Sequence, residues 1–222
     1  MMGKKPFLFV VLLLALAACR ALGIASGDIT AEAEETQSVI VPDVPALTVN
    51  HFAGDLTVRD GAAGKITAHV TKQSALADAA AAQASLEDIT VAFSQSGTDV
   101  TLDIKAPQTT VSSTNNLLAI VELEVPPGTT LDLNQGGGNI VVERPSGDVT
   151  INAGAGDFTV TLPADAAFHL IVAGGVAKVT SDFEGVPTGG IAADVDTTVG
   201  SNPTQTLTFN VGAGRVNVRH AD

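Results

Sequence analysis

The residues whose types and spacing could do chemistry lie between 136 and 162, GGGNIVVERPSGDVTINAGAGDFTVTL. Gly138-Asn139, Gly147-Asp148 and Gly156-Asp157 each open an alternating apolar run, and their glycines are nine residues apart. Carboxylates at that interval hold calcium when backbone carbonyls and the Asp of adjacent turns enclose the ion, which requires Gly-Gly-x-Gly-x-Asp. Gly154-Ala155-Gly156-Asp157 is the nearest approach, and it occurs once. The spacing therefore favours Asp bonding within its own turn, where Gly, Asn and Asp tolerate the backbone angles. Glu143, Arg144, Asp148, Asp157 and Lys178 are the charged candidates for cleaving a polysaccharide. That chemistry needs two carboxylates on one face at a defined separation. Glu143-Arg144 precedes Pro145 in a turn and the others alternate edges, so no such pair is expected. His51, His69, His169 and His220 share no ligand spacing, and no serine sits in a Gly-x-Ser-x-Gly setting. No catalytic residue, cofactor site or metal site is expected, and the reading is of a non-enzyme.

The elements that would position these residues follow from the same interval. Gly138, Gly156 and Gly174 are each 18 apart. Two nine-residue half-turns per coil would stack Asn139 over Asp157 and leave Asp148 on the opposite edge, which keeps like charges from facing each other in neighbouring rungs. The third coil is one residue out of register, because Lys178 falls where Val142 and Val160 sit. Either a bulge intervenes at Gly174-Gly175 or the coil ends there. The expected fold class is all-β with one short helix, a β-solenoid or β-helix-like stack of short strands with Gly-Asp turns.

Elsewhere the pattern is simpler. Gly54-Asp55-Leu56-Thr57-Val58 is a further Gly-Asp unit, and KITAHVTK at 65–72 alternates as a half-buried strand with His69 outward. SALADAAAAQASLE at 74–87 predicts a helix capped by Ser74, lying on the sheet by an Ala-rich face. Strands follow at 89–93, 100–104 and 118–125. PQTTVSSTNN at 107–116 is the longest polar, charge-free segment and predicts a loop. Residues 38–222 form one domain in this reading.

Composition bounds the rest. Hydrophobic residues make up 45% of the 222, aromatics only 4%, with no Trp or Tyr. The core must therefore be built from Val, Ile, Leu, Ala and a few Phe, as thin strands rather than an aromatic-lined pocket. Net charge is −13. A nucleic-acid partner is excluded, because phosphate neutralisation needs a basic patch and single-strand stacking needs aromatic platforms. The single cysteine excludes an intramolecular disulfide and a cysteine zinc site.

That cysteine is Cys19. Lys4 and Lys5 precede an apolar run, FLFVVLLLALAA, from 7 to 18. At about 1.5 Å per residue it is too short to cross about 30 Å of hydrocarbon, so it reads as a signal-peptide core over 1–18. Leu16-Ala17-Ala18-Cys19 resembles the bacterial lipoprotein lipobox at all four positions. The resemblance implies cleavage before Cys19 and acylation of its thiol, which anchors the protein to a membrane through lipid. Arg20 after the cysteine points to the outer membrane if the cell is Gram-negative. Residues 19–37 then comprise the lipidated Cys19 and an acidic, small-residue tether, with a short strand at Gly27-Asp28-Ile29-Thr30 as the alternative.

From about 47 to 218 the sequence is similar to the bacterial putative-adhesin β-solenoid family, envelope proteins of unknown function. The resemblance rests on the Ala-rich helix, on the strand end Val121-Glu122-Leu123-Glu124-Val125-Pro126, and on the units GDVTI and GDFTV. It implies an envelope-anchored surface scaffold or adhesion module, facing the periplasm or the exterior, with an envelope protein or polysaccharide as partner. It transfers no catalytic residues. Two alternatives stay open: a carbohydrate-active β-helix protein and an accessory sensor of envelope stress.

Overall fold

The structure is a computed structural model and describes residues 28–41, 44–107, 117–189 and 194–221. Cys19, Arg20 and the segment 108–116 lie outside the described residues, so the anchor and most of the polar loop do too. The described chain is mostly β, with one short helix. In chain order the strands are β1 (Ala31–Ile40), β2 (Ala46–His51), β3 (Leu56–Asp60), β4 (Lys65–Ser74), β5 (Thr90–Ser96), β6 (Asp99–Lys105) and β7 (Leu117–Val125). There follow β8 (Thr130–Gly137), β9 (Ile140–Glu143), β10 (Val149–Leu162), β11 (Phe168–Ser181), β12 (Val195–Val199) and β13 (Gln205–His220).

The central pairings are parallel and in register. β10 pairs β8 with Val149 opposite Leu131, and pairs β9 with Phe158 opposite Ile140, both offsets of 18 residues. β2 pairs β8 and β6, while β3 pairs β9 and β7. Antiparallel strands flank these rows: β4 on β7, β1 on β4, β5 on β6 and β12 on β11. Alternation then decides what is buried. On one side of the sheet Leu47, Leu131, Val149 and Leu207 stack in one column, and Val49, Leu133, Ile151 and Phe209 in the next. Beyond residues 154–157 the buried parity switches from odd to even. The inward set there becomes Phe158, Val160 and Leu162, stacked with Ile140, Val142, Val216 and Val218. Phe158, Phe168 and Phe209 are wholly buried, so the scarce aromatics are spent on the core.

The parity switch is made by a seam of glycines. Gly54, Gly138, Gly156 and Gly214 stack, and a methyl group on any of the last three would overlap the carbonyl oxygen of the glycine in the row before. Gly136, Gly154 and Gly212 form a second such column over the carbonyl oxygen of Phe52. Gly138 needs its residue type twice over, since its φ is 120° and the backbone of Gly54 fills its Cβ position.

Three sequence expectations are corrected. The row after β10 is not the one containing Gly174. β13 lies between β10 and β11 and pairs parallel with both, Val149 opposite Leu207 and Phe168 opposite Gln205. Ala177, not Gly174, shares the level of Gly214 and Gly156, and Lys178 faces Arg215 rather than occupying the level of Val160. This register keeps Ala177 and Val179 buried and Lys178 in solvent. The tether is also shorter than expected. Residues 31–37 are already strand β1, because their acidic residues find cross-strand partners on β4: Lys72 Nζ lies 2.7 Å from Glu35 Oε2, and Gln73 donates to Glu32 at 3.0 Å. Finally, the helix is shorter than 74–87. α1 spans Ala79–Ser85, followed by a 3-10 turn over Leu86–Asp88. Its cap is Asp78, whose Oδ1 accepts from the Ala81 N–H at 2.7 Å. Ser74 instead ends β4, fully buried, and accepts a hydrogen bond from the Ser85 hydroxyl. Ala82 and Leu86 pack with Ala31, with Ala33 and Leu76 against them.

Candidate functional site

The most regular polar feature grows from a tripeptide used four times: Thr48-Val49-Asn50, Asp132-Leu133-Asn134, Thr150-Ile151-Asn152 and Thr208-Phe209-Asn210. In each, the middle residue points into the core and its neighbours point outward. Parallel pairing places Asn50 opposite Asn134, Asn134 opposite Asn152 and Asn152 opposite Asn210. Strands about 4.8 Å apart bring such amides into hydrogen-bond reach. Asn210 donates to Asn152 at 2.8 Å, Asn152 to Asn134 at 2.9 Å, Asn134 to Asn50 at 3.3 Å, and Asn50 to the Asp103 carboxylate at 2.9 Å. Asn152 also donates to Asp132 at 3.0 Å. Every donor points the same way, and the series ends on a negative charge. The Asn50 amide, followed by the Lys105 ammonium 3.0 Å away, holds the Asp103 carboxyl below its usual range. On the far side Ala173 stands opposite Asn210 and ends the ladder.

A shallow open depression of about 370 Å³ lies along this ladder. Asn50, Asn134, Asn152, Phe52, Lys105 and Gly136 line it. His51 and Gln135 complete that part of the surface from the buried side, next to the seam. His51 is 3% exposed, and its Nδ1 lies 3.2 Å from Gln135 Oε1. Gln135 Nε2 donates to the Gly54 carbonyl at 2.8 Å, so Gln135 Oε1 is the acceptor and the proton belongs on His51 Nδ1. Among the described residues, His51 Nε2 is buried with no group in hydrogen-bonding geometry. Burial holds the imidazole neutral and pushes its pKa below the ordinary histidine value. The unfolded chain therefore binds more protons than the native one below about pH 6.5, and stability is lost as pH is lowered from there to the lower native pKa. Denaturant unfolding is expected to show a slope no steeper than about 1.4 kcal/mol per pH unit in that window. A His51→Gln variant should lose it, and an unchanged slope would remove His51 as its source. Asp103 and Asp182 also have lowered pKa values, the latter through Arg219, and the stability linked to them is lost as pH falls from about 5 through their ordinary value of 3.8, so the His51 slope is read between about pH 5 and 6.5.

The residues singled out by the sequence are divided between two places. Gly138, Asn139, Gly156 and Asp157 meet at the seam. Asn139 donates from its backbone N–H and its side chain to Asp55 Oδ1, both at 3.1 Å, and the Asp157 N–H donates to Asn139 Oδ1 at 3.1 Å. Arg215 Nε lies 3.3 Å from Asp157 Oδ1, where a calcium site would need further oxygen. Gly147 and Asp148 stand at the far end of β10, where Asp148 Oδ1 accepts from the Thr206 N–H at 2.7 Å. These side chains bond the adjacent row, not their own turn as expected, because in-register stacking leaves a neighbour's N–H within reach. Of the charged set, Asp157 and Lys178 share one level, with Arg215 between them, while Asp148 is elsewhere. Glu143 ends β9, and Arg144 follows it with φ 49° and donates its N–H to Thr161. The histidines lie apart: His69 pairs with Thr36, His169 Nε2 sits 2.7 Å from Asp196, and His220 packs edge-on against Phe183. The asparagine ladder is not legible in the sequence. Its signal is Asn after an apolar residue after Thr or Asp, but the four copies are separated by 84, 18 and 58 residues and have no period.

No protein-family model matches the chain, and a search of curated proteins finds no match. Among solved structures, a "putative cell adhesion protein" from Clostridium sporogenes is similar over 86% of this chain and 100% of its own, with a TM-score of 0.55 and 18% identity. That likeness shows a shared fold. Two structures each described as a "putative adhesin", from Bacteroides fragilis and Parabacteroides distasonis, cover 85% and 88% of this chain at 11% identity, with TM-scores of 0.26 and 0.25.

Proposed function

We propose that the protein is a lipid-anchored envelope protein whose domain is a β-solenoid acting as a non-enzymatic adhesion or interaction module. The observation that carries this reading is the open depression on the amide ladder. It is a periodic, amide-lined open surface rather than an enclosed cleft that would desolvate reacting groups. Lys105, the one charged residue lining it among the described residues, is bound to Asp103. In-register parallel pairing at an offset of 18 residues supports the solenoid. The Clostridium structure that shares the fold is described as a cell adhesion protein, which supports the role. Leu16-Ala17-Ala18-Cys19 supports the anchor and a location at the envelope surface.

Beads coated with the full chain are expected to retain isolated bacterial envelopes above albumin-coated beads. Equal retention would remove the adhesion reading. The anchor is tested separately. A Cys19→Ala variant should move from the membrane fraction to the soluble fraction, since its acyl chains supply about 0.8 kcal/mol per buried CH2. Unchanged fractionation would exclude lipidation at Cys19.

A further inference from the structure

We infer that the ladder face binds a neutral, hydroxyl-rich polysaccharide chain lying across the strands, along Asn50, Asn134 and Asn152. This rests on the reading of that face as the contact surface and names what it takes. Three observations carry it. The first is hydrogen-bonding capacity. A primary amide offers two donors and two acceptor lone pairs. Within the ladder Asn50 and Asn134 each spend one of either kind, so among the described residues each keeps one N–H and one lone pair. Thr48 and Thr150 add hydroxyls beside them, half-buried in the next outward column on either side of Asp132, whose carboxylate accepts from the Asn152 amide. A row of groups that both donate and accept, repeated at the strand spacing, matches a row of hydroxyls, which do the same.

The second observation is charge. The chain carries a net charge of −13, while the lining of the depression is neutral apart from Lys105, which is paired with Asp103. An anionic polymer would meet repulsion from the whole protein and find no unpaired cation there. An uncharged polymer meets neither penalty. The third is shape. The depression is open, its lining crosses β6, β2, β8 and β10, and it has a partly exposed Phe52 at the seam. An extended chain can lie over it with one sugar ring's apolar face on Phe52.

The test uses the full chain in detergent and three probes: dextran, amylose and yeast mannan, with dextran sulfate as the anionic comparison. Affinity electrophoresis and calorimetry should show binding to at least one neutral probe and weaker or no binding to dextran sulfate. The neutral binding should change less than about twofold when salt is raised from about 50 to 500 mM, because screening acts only on charge. Asn134→Ala and Phe52→Ala should each weaken it about tenfold or more. Phe52→Ala leaves every ladder hydrogen bond in place, so it decides the matter if Asn134→Ala unfolds. The inference is overturned if none of the neutral probes binds, if both folded variants bind as the wild type does, or if dextran sulfate binds better and salt abolishes it. Suppose beads retain envelopes, and protease treatment of the envelopes abolishes retention while the neutral polysaccharides do not compete. The polysaccharide inference then fails and the contact-surface reading stands. Without retention of envelopes, the broader reading fails first.

Discussion

A chain from which residues 205–222 are deleted is expected not to fold. β13 is the partner of β10 along one edge and of β11 along the other, so its loss leaves both without their parallel neighbour. Leu207, Phe209, Val216 and Val218 go with it, all fully buried. Fully burying an apolar side chain of this size is worth about 1.5–3 kcal/mol, so four of them alone amount to about 6–12 kcal/mol. That already matches a typical domain's whole margin of about 5–15 kcal/mol, before the lost backbone ladders are counted. Circular dichroism should show loss of the cooperative melt. The graded version is Phe209→Ala, expected to cost about 3–5 kcal/mol in denaturant unfolding. A deletion chain that melted like the wild type would show that β13 does not sit inside the sheet.

Gly138→Ala is the second large effect. The new methyl group would overlap the Gly54 carbonyl oxygen and lie 2.9 Å from Gln135 Nε2, at a φ of 120°. Neither backbone can give way alone, because Gly54 is stacked on Ala119 in the next row and Gly156 on Gly138 itself. A cost above about 4 kcal/mol is expected, the size that marks backbone collision rather than propensity. Gly97→Ala is the internal comparison. Gly97 has a φ of 65°, but a Cβ there meets nothing within 4 Å. It should lose only about 1–2 kcal/mol, the cost of an L-residue in the left-handed region. Equal midpoints for the two variants would mean that the seam is loose enough to absorb a methyl group.

These two predictions also mark what the sequence could and could not convey. Alternation and the Gly-Asp units were legible, because both are local: a strand's period of two and a turn's need for glycine are written within a few residues. The stacking of Asn139 with Asp157 was legible for a special reason, namely that their rows are consecutive in the chain and share an 18-residue offset. The rows holding Asn50 and Asn210 are neighbours in space only. Nothing local states that 48–50 belongs beside 132–134, or 208–210 beside 150–152. The ladder and its depression were therefore hidden, although each Asn was in plain view. The acidic stretch 31–37 misled for the opposite reason. Its composition resembles a solvated tether, and it is the antiparallel pairing with β4, with Lys72 and Gln73 facing its acidic residues, that makes it a strand.

The position of β13 bears on the order in which the protein can be made. β11 is synthesised before β13 yet lies beyond it in the sheet. A nascent chain that has emerged as far as residue 200 therefore presents two unsatisfied parallel edges, on β10 and on β11, whose proper partner does not yet exist. If those edges join each other early, the slot closes in a register that must be undone before β13 can enter. Pairings across 58 and 37 residues are slow to form by themselves, since loop closure must precede any gain from contact. The native sheet is thus completed only after the C-terminal strand has left the ribosome.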